Sequence, residues 1–398
     1  MIISKKSIQH IDLEKKTVLL RVDYNVPFDS KTKKALDLTR IISTIPTINF
    51  LLEKNCKIII CSHFGRPKGK YSQKLSLDPI SKLLSEILKK NIGFVPYPID
   101  SSVQTRISQM QQKDILMLEN LRFHPEEEDN NENFSKLLSS FCDIYVNDAF
   151  GASHRPHASI SGIAQFVPSV AGLLLEKEII ELSNILHFPK TPFTSILGGA
   201  KVSDKIKVVE NLLSKSNNIL IGGGMAATFL RSQNLEVGKS IVELELTDFC
   251  SQIINKTKID NSNHLCFPQD VVVGQSFEEY TKFRTCLVTE VGPYEMILDI
   301  GPKTINLYKS IIQNSATIFW NGPMGIYEWA NFSHGTREIA DSIANSSSKT
   351  IIGGGSTVDA SHHFQIQDKI NHISTGGGAS LEFLEGKLLP GIKALEDK

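Results

Sequence analysis

Residues 193–224 read FTSILGGAKVSDKIKVVENLLSKSNNILIGGG, and the succession of patterns within them decides the fold. FTSIL is an unbroken apolar and β-branched run that stops at Gly198 and Gly199. DKIKVVENLLSK (204–215) then repeats apolar residues at intervals of three and four, and NILI follows, ending at Gly222, Gly223 and Gly224. Short run, helical period, short run is the pattern of two parallel strands joined by a crossover helix. Runs without polar alternation fit strands covered on both faces. The fold class is therefore α/β, with parallel sheets flanked by helices. The same period places Lys201 and Lys205 one helical turn apart on one face at the start of that helix. Amides at a helix start meet phosphate oxygens, and two lysines add positive charge. The turn is not a Walker A loop, because G-x-x-x-x-G-K-[ST] is absent.

The habit extends in both directions. TVLLRVDYN (17–25), KIIICSHFG (57–65), DILMLENLRF (114–123) and DIYVNDAFG (143–151) precede the stretch, and ATIFWNGP (316–323) and KTIIGGG (349–355) follow it. Helix-like segments such as LDPISKLLSEILKK (77–90) separate them. A chain of 398 residues exceeds what one core serves, so two domains are expected. AGLLLEKEIIELSNILHF (171–188) reads as a long helix followed by the breaker PKTP, and the boundary is placed there: residues 1–170, the helix 171–188, and residues 189–382.

Lys plus Arg and Asp plus Glu both number 43, so no overall field favours nucleic acid or an anionic membrane. No run of about 18 apolar residues occurs, and the first residues lack the apolar segment of a signal peptide. Six scattered cysteines form no C-x-x-C pair and suit a reducing compartment. A cytoplasmic protein without nucleic-acid or membrane partners is expected.

Loops after the first set of strands carry Arg21, His63, Arg66, Arg122, His154, Arg155 and His157, with Asp23 and Asn25 as acceptors for hydroxyls. Arginines bind carboxylate or phosphate through paired hydrogen bonds, so several at strand ends imply a pocket for a small, doubly charged anion. His154 and His157 either join that pocket or brace the loop of Arg155. In the later set, Gly353 to Gly355 and Gly376 to Gly378 repeat the glycine triplet. Such glycines either permit tight turns or form a floor of N–H groups against a polyphosphate. STGGGASLEFLEG reads as a helix start able to stabilise charge on a phosphoryl group in transit. NGPMGIYEW (321–329) offers Asn321 and Pro323 in a turn and Glu328, either a ribose acceptor or a solvated acid. A dinucleotide-dependent oxidoreductase is the rival class, and it lacks a clean G-x-G-x-x-G.

Taken in order, RVDYNVP, SHFGRP, ENLRFHPEEE, NDAFGASHRPHAS, ILGGAKVSDKI, DIGPKT, NGPMG and STGGGAS resemble the phosphoglycerate kinase family across essentially the whole chain. The resemblance implies two Rossmann-like lobes joined by a helix, with a tail of about 383–398 returning to the first lobe. It also implies a monomer that bends at a hinge and transfers a phosphoryl group reversibly between ATP and 3-phosphoglycerate, giving ADP and 1,3-bisphosphoglycerate, with Mg²⁺. By position, Asp23, Tyr24, Asn25, His63, Phe64, Gly65, Arg66, Arg122 and Arg155 resemble the substrate-binding set. Arg40, which by spacing alone would pass as a surface residue, resembles the arginine beside the substrate carboxylate. Lys201 resembles the lysine that follows the moving phosphoryl group, with Gly376 and Gly377 at the same centre, and Lys205 resembles the one holding nucleotide phosphates. Gly198, Gly199, Gly222, Gly223, Ile297, Asn321, Pro323, Glu328, Gly353, Gly354, Gly355, Ser356 and Thr357 correspond to the nucleotide pocket.

Two positions depart from the family pattern. Ser356 stands where an acid associated with Mg²⁺ is usual, and a neutral hydroxyl is a poorer ligand for a hard cation. Either the nucleotide phosphates hold the metal with help from Asp204 or Asp359, or metal affinity is reduced. Ile297, in YEMILDIGPKT, replaces a glycine expected against the base. A catalytically weakened nucleotide-binding protein is the second rival that these departures motivate.

Overall fold

The structure is a computed structural model that describes residues 3–29, 34–35, 37–260 and 264–398. The chain divides into two compact units: Met1–Ile180 with Leu388–Lys398, and Glu181–Lys387. We call them unit 1 and unit 2.

In unit 1 the strands of the main sheet are β1 (Thr17–Arg21), β2 (Lys57–Cys61), β3 (Ile92–Val95), β4 (Ile115–Leu118), β5 (Ile144–Asn147) and β6 (Ser169–Ala171). They form one parallel sheet in the order β3-β4-β2-β1-β5-β6. Val18, Leu20, Ile58, Ile60, Met117 and Val146 are buried in one cluster, which explains the unbroken apolar runs. Register aligns Arg21 with both Cys61 and Asn147, so the loops that follow these strands leave the sheet at one level.

Unit 2 holds β7 (Phe193–Leu197), β8 (Asn218–Ile221), β9 (His264–Cys266), β10 (Asp270–Gly274), β11 (Phe283–Leu287), β12 (Met296–Ile300), β13 (Thr317–Asn321), β14 (Lys349–Ile352) and β15 (His372–Ile373). Six form a parallel sheet in the order β9-β8-β7-β13-β14-β15, while β11-β10-β12 make a small antiparallel sheet. The chain leaves β7 for β8 on one side, and β13 lies on the other. A topological switch point therefore sits between the ends of β7 and β13, where open parallel sheets bind ligands.

The long helix expected at 171–188 spans Leu173–His187. Asp148, just beyond β5, accepts the N–H of Leu175 at 3.0 Å and so satisfies a donor in its first turn. Leu175, Ile179, Leu182 and Ile185 are its buried stripe. The helix after β7 begins at Ile206, not at 204. That shift corrects the shared-face placement of the two lysines: Lys201 is exposed on the loop, and Lys205, the residue preceding the helix, is buried. In unit 1 the final segment is fastened by Lys5 to Asp397 at 2.7 Å and by the N–H of Gly391 to Ser153 O at 2.9 Å.

Candidate active site

In unit 1 the loop after β1 meets the loop after β2. Asn25 Oδ1 accepts the N–H of Gly65 at 2.9 Å, and Tyr24 N–H donates to Ser62 Oγ at 2.9 Å. Gly65 has φ +62°, and a Cβ there would lie 2.7 Å from Leu75, so the turn needs glycine. Arg40 reaches across to Asp23 Oδ2 at 3.2 Å and to Asn25 O at 2.8 Å. Arg122 donates to Gly65 O at 2.9 Å and pairs with Glu128 at 3.3 Å. Asp23, Asn25, Arg40, Gly65 and Arg122 are thus joined by short contacts, and His63 Nε2 faces Asp23 Oδ1 at 3.9 Å. Arg66 and Arg155 are exposed, the latter donating to His154 Nε2 at 2.9 Å.

The buried members hold this constellation in place. Phe64 is pinned through both backbone groups by Asn120, at 3.1 and 2.7 Å. The Tyr24 ring is fully buried, and its hydroxyl bonds Thr44 at 2.8 Å, so only its backbone lies with the polar loops. Arg21 is fully buried as well. Its guanidinium donates to Ser159 Oγ at 2.9 Å, to Val22 O and to His63 Nδ1 at 3.2 Å, so it supports the pocket from beneath. Burial, then Arg21, Arg122, Arg40 and His157, holds His63 well below the usual histidine range. Burial, then Arg122, Arg21 and Arg155, pushes His157 down to about 3. Both imidazoles are neutral near pH 7, and the positive charge resides in guanidinium groups.

Unit 2 is built differently. At the switch point Lys205 Nζ donates to Gly198 O at 2.6 Å and to Asn321 O at 2.9 Å, tying the ends of β7 and β13 together. Gly198 N–H donates to Asn321 O at 3.0 Å, Gly199 N–H to Pro323 O at 2.9 Å, Gly222 N–H to Leu197 O at 2.9 Å and Gly223 N–H to Met324 O at 2.9 Å. These amides are therefore used inside the protein, and the glycines are there for close approach. A Cβ on Gly198 would overlap Pro323 O, and one on Gly223 would lie 2.5 Å from Gly199 N.

Open space lies elsewhere. A Cβ on Gly355, Gly377 or Gly378 would meet nothing within 4 Å. Helix Gly355–His363 starts at the first of these, after Gly354 at φ +92°. Asn321 Nδ2 fastens the turn by donating to Gly353 O at 2.6 Å, and Thr357 Oγ1 accepts Gly322 N–H at 2.6 Å. Beside them is a cavity of ≈ 330 Å³ walled by Gly199, Gly223, Gly224, Ile241, Phe277, Ile297, Pro323, Tyr327, Glu328 and Ser356. An apolar slot with glycine backbone and a few polar groups at its rim suits a flat base attached to a polar chain. Ile297 reaches the slot from β12, where Ser240 Oγ accepts its N–H at 2.8 Å. Lys201 and Asp204 are exposed on the loop after β7. Gly376 N–H donates to Ser374 Oγ at 3.3 Å, and Gly377 has φ +53°.

Sequence reasoning missed Ser62, Thr44, Asn120, Glu127, Ser159 and Ser240. Ser62, Asn120, Glu127 and Ser159 lie inside the segments SHFGRP, ENLRFHPEEE and NDAFGASHRPHAS, but the charged residues beside them draw the reading, while Thr44 and Ser240 lie outside any such segment. Phe277 and Ile241 were missed because exposed apolar residues carry no pattern of their own.

Comparison with known proteins bears on all of this. A family profile described as phosphoglycerate kinase matches residues 8–387. The chain is 46% identical over 395 residues to a phosphoglycerate kinase of Pseudothermotoga lettingae, covering 99% of both chains. It is 47% identical over 404 residues to that of Koribacter versatilis, covering 99% and 100%. Among solved structures, phosphoglycerate kinase from Coxiella burnetii superposes with a TM-score of 0.89 at 37% identity, and that from Pyrococcus horikoshii with 0.84 at 31%, each covering 98% of both chains. The chain belongs to the phosphoglycerate kinase family, the phosphotransferases that exchange a phosphoryl group reversibly between ATP and the carboxylate of 3-phosphoglycerate.

Proposed function

We propose that unit 1 takes 3-phosphoglycerate or 1,3-bisphosphoglycerate and that unit 2 takes ATP or ADP. The observation that carries this division is the gathered set of Asp23, Asn25, Arg40, His63, Gly65 and Arg122. In this reading His63, Arg66, Arg122 and Arg155 hold the 3-phosphate, and Asp23 and Asn25 meet the hydroxyl and carboxylate. Arg40 lies beside the carboxylate, where its fixed charge offsets the charge of the incoming phosphoryl group. In unit 2 the base occupies the slot against Ile297, the ribose meets Glu328, and the phosphates run past Asn321 and Lys205 to the amides at Gly354, Gly355 and Ser356.

The reaction is an in-line displacement in which a carboxylate oxygen attacks the γ-phosphorus and ADP leaves; the reverse direction regenerates ATP. No general base is needed, because the carboxylate is ionised near neutrality. Catalysis then consists of positioning and charge stabilisation. Lys201 follows the phosphoryl group, and Gly376 and Gly377 present backbone N–H groups to it. Hinge bending brings the two ligands together and excludes water. The chain acts as a cytoplasmic monomer.

Magnesium fits this site only as a shared ion. Among the described residues no three His, Cys, Asp or Glu side chains gather where they could hold a metal. Mg²⁺ asks for six oxygens and keeps several waters, so nucleotide phosphates would supply most of its remaining ligands, with Ser356 at the slot and exposed Asp204 at hand. Bound there, it would neutralise charge between the phosphate oxygens.

The test is a coupled assay of ATP and 3-phosphoglycerate turnover with a magnesium titration. Arg40→Ala or Lys201→Ala should lower kcat by about a hundredfold or more, with smaller changes in KM. Near-normal turnover in both variants would refute the assigned roles.

A further inference from the structure

Beneath the anion pocket of unit 1 a buried polar chain runs on from Arg21 to Ser159 and Glu127, and the roles above give Glu127 no part. Glu127 is fully buried, although it belongs to the acidic run Glu126, Glu127, Glu128. Its two carboxylate oxygens accept from Ser159, Oε1 from the hydroxyl at 2.6 Å and Oε2 from the N–H at 2.9 Å. Ser159 has one hydroxyl proton, and it is committed to Glu127. The same oxygen can then only accept from Arg21 Nε, which it does at 2.9 Å. Arg21 has no lone pair to offer, so its contact with His63 Nδ1 at 3.2 Å requires that nitrogen to be the acceptor. The proton of neutral His63 must therefore sit on Nε2, the nitrogen that faces Asp23 Oδ1 at 3.9 Å.

We infer that Glu127 and Ser159 are positioning residues for substrate: through Arg21 they lock His63 in the tautomer that presents its Nε2–H to the anionic ligand. The lock has an electrostatic reason. A fully buried guanidinium needs a counter-charge, and Glu127 supplies it one residue away, bridged by Ser159. Burial pushes the Glu127 carboxyl up, while Arg21 and the two Ser159 bonds draw it back down. His157 adds a weaker contact to Glu127 at 3.8 Å, and Tyr145 fixes the other side of Ser159 by donating its hydroxyl to the carbonyl at 2.6 Å. Without the Glu127 charge, Arg21 loses its reason to stay, and His63 Nδ1 loses the donor that excludes the other tautomer. The ligand half of this inference rests on the reading that His63 holds the 3-phosphate.

The experiment is nitrogen NMR of the imidazole side chains in the full-length protein, combined with steady-state kinetics. Wild-type His63 should show an unprotonated Nδ1 and a protonated Nε2 at neutral pH. Glu127→Gln and Ser159→Ala should replace that signature by a mixture of tautomers and raise KM for 3-phosphoglycerate by about tenfold while leaving KM for ATP unchanged. Ser159→Thr keeps the hydroxyl and should restore both. Should the first two variants fail to fold, the wild-type spectrum and Ser159→Thr still decide: a wild-type Nδ1–H or doubly protonated His63 overturns the lock. Retention of a single Nε2–H signal and an unchanged KM in Glu127→Gln overturns it too. A fixed tautomer together with an unaltered KM in His63→Ala would instead refute the ligand-binding reading and leave the tautomer assignment standing.

Discussion

In the proposed assignment the two units face the same problem, holding a polyanion at the ends of parallel strands, and they are built for it from different parts of the chain. Unit 1 converges charged side chains on a pocket and anchors them from below through Arg21, Ser159 and Glu127. Unit 2 brings backbone against backbone, so that glycines 198, 223 and 322 leave almost no room between adjacent turns. A side-chain pocket degrades by degrees as members are removed. A backbone pocket fails when a single atom is added. The difference suits the ligands proposed for each unit: a compact anion with charge at both ends can be gripped by forks from several directions, while a long nucleotide needs a smooth slot.

The largest expected effect comes from breaking the backbone side of that contrast. Gly198→Ala places a methyl group against Pro323 O, which is main chain and cannot swing aside. The variant should lose about 3 kcal/mol of stability in urea unfolding and lose measurable ATP binding by calorimetry. A stable variant with intact ATP affinity would show that the turns can separate.

Next comes the buried Lys205 amine that staples those turns. Burial pushes Lys205 down to about 7, with nearby Asp204 opposing the shift. Between about pH 7 and the ordinary lysine value of 10.5 the unfolded chain then binds more protons at this site than the folded one. Stability should rise with pH across that window, by at most about 1.4 kcal/mol per pH unit, and this contribution is lost as pH falls to 7. Urea midpoints at several pH values, compared with Lys205→Met, should show that the variant lacks this slope. An identical slope in both proteins would mean that the folded ammonium keeps its proton.

Smaller and more selective is the change in a single fork of unit 1. Arg66 is exposed, so Arg66→Ala should raise KM for 3-phosphoglycerate about tenfold and leave the thermal midpoint where it was. A fallen midpoint would make Arg66 a structural residue. The smallest effect belongs to Gly355→Ala, whose Cβ meets open space at a helix start. Stability should change by less than about 1 kcal/mol, toward gain if at all, and only KM for ATP should rise. A destabilised variant would show that this glycine, like those of the switch point, is needed for packing.

Much of this was legible in the residues. Buried parallel strands announce themselves as unbroken apolar runs, and β1, β2, β4, β5, β7, β8, β13 and β14 all fall within stretches read that way. The edge strands β6, β9 and β15 have only two or three residues, β3 (IGFV) is broken by Gly93 and half-buried in its middle, and β11 exposes Phe283, Arg284 and Thr285, so neither pattern nor period marks them. Arg40 shows the limit for the site. It lies in a four-residue helix, Thr39–Ile42, and only chain folding brings it to Asp23. Glu127 shows the complementary limit, since three consecutive glutamates look alike in sequence and one of them is the most buried acid of its loop. Lys205 was placed by an ideal helical period, which fails because the first turn of that helix is displaced to Ile206.

The seam between Lys5 and Asp397, together with Gly391 bonded to Ser153 and Asn147, has a temporal meaning. Most of unit 1 leaves the ribosome before unit 2, yet it lacks these bonds until Leu388–Lys398 have been translated. Unit 2 has all of its own sequence once Lys387 has emerged. The half of the protein that is begun first is thus the half that can be completed last.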